Sequence, residues 1–594
     1  MILVPSSVLK VLTKADNSAW TYGRSISHGS AQTFVSSLIV EELMRLGLKD
    51  FVLSPGARAI PFVLSLNTLK AESQNKPRCQ IINDERSAAF FAQGISKSGN
   101  IAALICTSGT AVANYLPGVV EAYYSKTPLL IVTCDRPWEL QSAGANQTIK
   151  QNDIFKDFIY LKIEIGPFDQ ILGLHSLFSN LASLIYSAIK TSQPVHLNIS
   201  FRKPFYDAGF DPEKDLQPED RSVFLSWFDR ECPYVERGLA DKNLHFAEPL
   251  KKSQAKNDKT LFVFGPSRDL NHIDFIGRVA SDRNIPVLAD IHSNLRQSDC
   301  KVVQSYFNLY LKEIEDRDLP EKVFIFGDRI ISDELQKFLN RVDCSITQVG
   351  VGTLRQDAIE NEFIKISRKL DWEYFVDEEL PTLTCNKDEF SNKYISLNDK
   401  YSLVVQGIVD EEDRTERSLI CNILSEAPQG ASVFLAISLI FREADTFCSQ
   451  LPATSMIYAN RGATGIDGII SSSIGTSINS EAPLICIIGD QATLHDLTGL
   501  SLVNRRNGPT LILIVNNNGG AIFNIMKKAE LLDTLIHSHG YEFEHFAKGF
   551  GLDYKKTESV KEAVGIMKTL FNSNQKLVLE VVVDGVESAN GLRL

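Results

Sequence analysis

The sequence predicts an α/β protein of three domains, each an open, mostly parallel sheet flanked by helices. Three observations carry this. The chain has 594 residues, too many for one core at roughly 100–200 residues per domain. Short uninterrupted apolar runs, closed by glycine, proline or polar residues, alternate with stretches of helical spacing, the pattern of parallel strands buried on both faces. Residues 482–525, APLICIIGDQATLHDLTGLSLVNRRNGPTLILIVNNNGGAIFNI, read as a complete strand-helix-strand unit.

Composition narrows the class. Hydrophobic residues make up 44% and charged residues 23%, as in an ordinary soluble enzyme. With 61 basic against 73 acidic residues, net −12, nucleic acid finds no electrostatic footprint. Ten cysteines without a Cys-x-x-Cys pair read as reduced core residues of a cytoplasmic protein. No apolar run approaches the ~20 residues of a membrane span. The opening MILVPSSVLKVLTK is broken by Pro5 and Lys10 and lacks a preceding basic region, so it is not expected to be a secretory signal. Residues 1–30 are read as an N-terminal extension.

The first domain is expected over 31–212. Thr33–Arg45 has helical spacing, and Phe51–Ser54 is a strand broken by Pro55-Gly56. Cys79–Asn83 is a strand, followed by Asp84-Glu85-Arg86 at the start of a helix, where a glutamate suits the helix dipole. Ile101–Cys106 is a buried strand, and Thr107–Asn114 turns through small residues into a helix. Leu129–Thr133 ends in Asp135-Arg136-Pro137, and Val195–Ile199 closes the domain. Residues 213–258, charged and aperiodic, are read as a linker wrapping over the surface, within a second segment of 213–400. Strands follow at Thr260–Phe264, Ile285–Ala289, Val323–Phe326 and Phe363–Ile366; no Rossmann glycine fingerprint accompanies them, so neither FAD nor NAD is expected. The third domain is expected over 401–594, closing with Leu577–Val583. No internal repeat is visible.

In the third domain Leu484–Ile488 is a strand ending at Gly489-Asp490. Thr493 with Asp496 reads as a helix start, Asn507-Gly508-Pro509 as its stop, and Leu511–Val515 as the next strand, running into Asn516–Gly520. A right-handed crossover brings the two strand ends to one sheet edge, so Asp490 and Asn517 can converge. A carboxylate, an amide oxygen and a backbone carbonyl form a hard-oxygen set suited to Mg²⁺, and without Cys or His ligands zinc is disfavoured. The same residues also fit a plain helix start and a plain turn.

Gly489-Asp490 followed by Asn516-Asn517 resembles the metal and diphosphate motif of the thiamine-diphosphate enzymes. NRGATGIDG (460–468), GDQATLHDL and NNNGGAIF together resemble the family of 2-succinyl-5-enolpyruvyl-6-hydroxy-3-cyclohexene-1-carboxylate synthases of the menaquinone pathway. SPGAR, DERS, TSGTAVAN, DRPWEL and GANQ resemble the same family in the same order. The resemblance implies the three-domain architecture of thiamine-diphosphate enzymes, with a pyrimidine-binding first domain and a diphosphate-binding third. It implies thiamine diphosphate with Mg²⁺ or Mn²⁺, held through Asp490, Asn517 and the carbonyl of Gly519. Thr107, Gly109, Asn114 and Gly489 would contact the cofactor, and Ile466 would prop it into its V shape. Glu85 would hydrogen-bond the pyrimidine nitrogen, routing acid/base catalysis through the cofactor.

It further implies that 2-oxoglutarate is decarboxylated and the four-carbon fragment adds 1,4 to isochorismate. Both are dicarboxylates, for which arginine's planar fork is suited: Arg58, Arg136, Arg442 and Arg461 occupy motif positions, with Asn146, Gln147 and Ser438 as neutral partners. At least a homodimer, or a homotetramer, is implied, because such enzymes join the first domain of one subunit to the third of another. The chain departs from the family pattern at Ala57, Ile437 and Gln491, and at Asp333-Glu334, where a Lys-Arg pair is expected and Arg329 is the nearby substitute. These changes touch the acceptor side, so a related 2-oxoacid carboligase or decarboxylase with another acceptor is an alternative. A scaffold without turnover is a further one, opposed by the joint presence of Glu85, Asp490 and Asn517.

Overall fold

The computed structural model describes residues 30–72, 76–168, 173–206, 210–230, 232–235, 256–267, 270–297, 300–327, 332–344, 346–350, 366–370, 372–449, 452, 455–525 and 534–591. The N-terminal extension up to residue 29 and Arg329 therefore lie outside the described residues. Two compact units result, one within Met1–Asp241 with Asn460–Thr476, the other within Lys242–Ala459 with Ser477–Leu594.

The first unit holds β1 (Asp50–Ser54), β2 (Arg78–Ile81), β3 (Ala102–Cys106), β4 (Leu129–Asp135), β5 (Leu161–Ile165) and β6 (Pro194–Ser200), all parallel in the order β2-β1-β3-β4-β6-β5. Every residue of β1, β3, β4 and β6 is buried; β3 and most of β4 are apolar, whereas β6 carries the buried polar residues His196 and Asn198. β5 is an edge strand, half-buried throughout except for an exposed Glu164, and its mixed LKIEI sequence escaped notice. Around the sheet run α1 (Ala31–Arg45), α2 (Ile60–Glu72), α3 (Glu85–Lys97) and α4 (Thr110–Tyr124). Ser30 caps α1 by accepting from Thr33 N, and Asp84 caps α3 by accepting from Arg86 N. The stretch read as linker contains a helix, Pro218–Phe228, whose Phe224, Trp227 and Phe228 join the core around Phe34 and Phe178. Its aromatic residues serve burial, not a surface path.

The second unit holds two further six-stranded parallel sheets. After β7 (Lys256–Asp258), which pairs with β14 (Cys385–Asn386), come β8 (Thr260–Phe264), β9 (Val287–Ala289), β10 (Val303–Gln304), β11 (Lys322–Phe326), β12 (Ile346–Val349) and β13 (Ile366–Leu370) in the order β10-β9-β8-β11-β12-β13. This is the doubly wound arrangement used for dinucleotides, here without the glycine fingerprint. Asp333 and Glu334 sit in the first turn of the helix Asp333–Arg341, capped by Ser332, where their charge favours the helix. The boundary placed at 401 falls inside the helix Asp388–Glu411, whose Phe390, Tyr394 and Leu397 pack into the core of this middle sheet.

The third sheet comprises β15 (Ser432–Leu435), β16 (Met456–Tyr458), β17 (Leu484–Gly489), β18 (Thr510–Asn516), β19 (Asp553–Thr557) and β20 (Lys576–Val582), in the order β16-β15-β17-β18-β20-β19. Counted within its own sheet, this is the order of the first sheet. The chain thus contains a topological repeat that its sequence hides.

Candidate active site

In the first unit the candidate residues collect at the carboxyl ends of β1, β3 and β4. The loop after β1 lies so close to the loop after β3 that a Cβ on Gly56 would stand 2.4 Å from Thr107 Cγ2, so the SPG turn needs a glycine there. Arg58 N donates to Thr107 Oγ1 at 3.3 Å, and its guanidinium donates to the Phe201 carbonyl and lies 5.0 Å from the Phe205 ring centroid. Arg136 donates to Ser108 Oγ, and Gln147 Nε2 donates to Ser108 O at 2.8 Å. Gly109 N donates to Gln151 Oε1 at 3.3 Å. Arg58, Thr107, Gly109, Arg136 and Gln147 are therefore one cluster. Burial pushes the Arg58 pKa down, and the charge of Arg136 adds to that push. Asn146 and Asn114 are exposed, Asn146 beside this cluster and Asn114 one turn into α4.

A buried polar network supports the cluster from below. Thr133 Oγ1 donates to Asn198 Oδ1 at 2.7 Å and so accepts from His196 Nε2 at 2.7 Å. Gln151 Nε2 donates to the same Asn198 oxygen, and Asn198 Nδ2 donates to Asp135 Oδ2, each at 3.1 Å. Burial holds the His196 pKa down at about 3.

Glu85, half-buried, is the first residue of α3, near enough to Cys106 and Tyr115 for its charge to act on both. The loop bearing Arg461 and Ile466 is tied to the helices of the same unit. Glu121 of α4 accepts from Gly462 N at 2.9 Å and Ala463 N at 2.7 Å. Lys97 of α3, also buried, reaches Glu121 at 3.4 Å and Asn460 Oδ1 at 2.8 Å. A pocket of about 280 Å³ opens beside these groups, lined by Phe90, Pro117, Glu121, Asn460 and Asp467. Arg461 is buried, whereas Ile466 is 41% exposed.

In the second unit, Asp490 begins its helix directly after Gly489, three residues earlier than the helix start read at Thr493; Thr493 instead donates to Gly489 O at 2.9 Å. Asp490 Oδ1 accepts from Gln491 N at 2.6 Å, Oδ2 accepts from Gly519 N at 2.8 Å, and His539 Nε2 stands 3.2 Å from Oδ2. Burial pushes the Asp490 carboxyl up, opposed by these amides and by His539. The three asparagines after β18 do three jobs. Asn516 donates to Glu580 Oε1 at 2.8 Å, Asn517 Nδ2 donates to Glu416 Oε1 at 2.7 Å, and Asn518 Oδ1 accepts from His539 N and Gly540 N at 3.3 and 3.1 Å. Gln491 Nε2 donates to His537 O at 3.1 Å, so this departure from the family pattern ties down the same segment.

Asn517 Oδ1 is buried without a hydrogen-bond partner among the described residues. A buried lone pair of that kind fits a hard cation, with Asp490 and backbone carbonyls as companions. Among the described residues no group of three or more His, Cys, Asp or Glu could hold a metal by itself, so a cation here would draw on amide and carbonyl oxygens. Ser438, with φ of 151°, precedes the helix Leu439–Phe447 without a side-chain capping bond, and Arg442 folds back on it, donating to Ser438 O at 3.0 Å. Glu416 and His539 were missed in the sequence: one looks like any first-turn acid, the other lies far along the chain from both motifs. Burial pushes the Glu416 carboxyl up to about 7.

Residues 34–154 match the family model for the thiamine pyrophosphate enzyme N-terminal TPP binding domain, and residues 441–581 match that for the C-terminal TPP binding domain. Fold and site together define a thiamine-diphosphate enzyme. Curated relatives named 2-succinyl-5-enolpyruvyl-6-hydroxy-3-cyclohexene-1-carboxylate synthase include that of Chlorobium phaeobacteroides, 30% identical over 94% of this chain and 94% of its own length. Those of Bacillus cytotoxicus and Oceanobacillus iheyensis are 29% and 30% identical, over 88% and 92% of this chain and 89% and 94% of their own lengths. The chain belongs to this synthase family.

Proposed function

We infer that this chain is a thiamine-diphosphate- and Mg²⁺-dependent synthase acting in menaquinone biosynthesis, converting 2-oxoglutarate and isochorismate to 2-succinyl-5-enolpyruvyl-6-hydroxy-3-cyclohexene-1-carboxylate and CO₂. The observation that carries the substrate class is the gathering of Arg58 and Arg136 on one loop, Arg58 N donating to Thr107 Oγ1 and Arg136 to Ser108 Oγ; burial, with the charge of Arg136 adding to it, depresses Arg58, and a dicarboxylate would offset both.

When bound, thiamine diphosphate supplies the carbon at which the 2-oxoacid loses CO₂. This chain's residues bind, orient and hold protons around it. Asp490, Asn517 and the Gly519 carbonyl would hold the cation. When the cofactor is bound, Gly489 would hold it from the third domain of one subunit and Thr107, Gly109 and Asn114 from the first domain of another, Ile466 would prop it, and Glu85 would hydrogen-bond its pyrimidine nitrogen. Arg58, Arg136, Arg442 and Arg461 bind the carboxylates, with Asn146, Gln147 and Ser438 as neutral partners. The chain divides into a pyrimidine-binding domain over 31–212, a linker and central domain over 213–400 and a diphosphate-binding domain over 401–594. It works in the cytoplasm as a homodimer or homotetramer.

Incubation with Mg²⁺, thiamine diphosphate, 2-oxoglutarate and isochorismate, with the product weighed by mass spectrometry, tests this reading. The expected adduct supports it, and its absence refutes it. A second reading, another acceptor, is favoured by Glu334, which pairs with Lys337 at 2.6 Å where a cationic pair was expected. CO₂ release without the adduct would select it.

A further inference from the structure

We propose that Glu416 is the positioning residue for Asn517, fixing its amide so that the oxygen, not the nitrogen, faces the cation. The inference rests on the reading of Asn517 as a metal ligand.

An asparagine amide offers two nearly isosteric ends, of which only the oxygen ligates a metal. Something must choose between them. Asn517 Nδ2 donates to Glu416 Oε1 at 2.7 Å, while Oδ1 is buried and unpartnered among the described residues. Turned over, the amide would set its oxygen against the oxygens of Glu416 and its NH₂ against the cation. Glu416 therefore selects the productive orientation.

The selector is itself held. Glu416 is 1% exposed and opens the helix Glu416–Ser425, which Thr415 caps by accepting from Ser418 N at 3.3 Å. Its backbone N donates to Ser588 Oγ at 2.9 Å, and that hydroxyl donates to Asp584 O at 2.7 Å. A carboxyl group kept out of water is costly without a partner of this kind. Groups that orient metal ligands in this way typically change affinity 10- to 100-fold when removed.

The test is isothermal calorimetry of thiamine diphosphate uptake by the full-length protein over a series of Mg²⁺ concentrations, with thermal unfolding as the check on folding. Glu416→Leu should need at least about tenfold more Mg²⁺, whereas Glu416→Gln, which keeps an acceptor oxygen, should stay within about threefold of the parent. In an Asn517→Asp background both oxygens are alike, so adding Glu416→Leu should cost nothing or should tighten binding. If Glu416→Leu does not fold, Glu416→Met takes its place. Binding by the Leu or Met variant that matches the parent, a Gln variant as weak as the Leu variant, or an undiminished loss in the Asn517→Asp background each overturns the proposal. An Asn517→Leu variant that binds like the parent would instead overturn the ligand reading beneath it.

Discussion

The amide of Gly519 donates to Asp490 Oδ2 at 2.8 Å, and this one bond clamps together the loops that leave two adjacent strands, β17 and β18. It depends on Gly519 having φ of +140°, and a Cβ there would stand 2.3 Å from Ile536 O. Gly519→Ala is expected to cost about 1–3 kcal/mol of stability through strain. It is also expected to weaken Mg²⁺-dependent cofactor uptake at least about tenfold, since the loop that aims both candidate ligands must shift. Thermal unfolding and calorimetry on the same sample read the two effects, and a variant with unaltered uptake contradicts this account of the loop.

Glu85→Gln should leave uptake of thiamine diphosphate largely intact while lowering turnover by a factor on the order of 10²–10⁴, the usual worth of a positioned acid/base group. Unchanged turnover removes Glu85 from the chemistry.

Glu121 neutralises the buried Lys97 and receives two loop amides. Glu121→Ala should therefore destabilise the protein by about 3–5 kcal/mol, the range for breaking a buried pair and leaving one charge behind. Denaturant unfolding measures it, and a loss below about 1 kcal/mol means that other contacts hold the Arg461 loop.

His196 titrates near 3 in the fold and at 6.5 in the unfolded chain. Between those values the unfolded chain binds more protons, so this group lowers stability as pH falls from 6.5 toward 3 and has no effect above 6.5. Glutamine can keep the bond to Thr133 and does not titrate. His196→Gln should flatten the acid loss by up to about 1.4 kcal/mol per pH unit, read from unfolding midpoints. Parallel pH curves for parent and variant would show that His196 does not titrate as described.

Much of the architecture was legible because a strand buried on both faces cannot hide: LLIVTCD and TLILIVN announce themselves by unbroken apolarity. What escaped was amphipathic or short, as with the LKIEI edge strand and the two-residue β10. One helix, Asp388–Glu411, serves as both connector and core, which no local spacing announces. In the candidate site, residues beside glycine-rich turns were singled out because the turns and the family's motifs mark them. Glu416, Glu121, Gln151 and His539 act through long-range contacts that no local spacing encodes.

The strand order shared by the first and third sheets gives each loop in one an opposite number in the other. Thr107 and Asp490 each directly follow the third strand of their sheet, and Arg136 and Asn517 each directly follow the fourth. The paired positions carry different chemistry on one backbone plan, so loop chemistry here is separable from scaffold. An engineer can therefore rebuild the segments that follow β1 and β15, where Arg58 and Arg442 lie, and leave untouched the strand ends before Thr107, Arg136, Asp490 and Asn517.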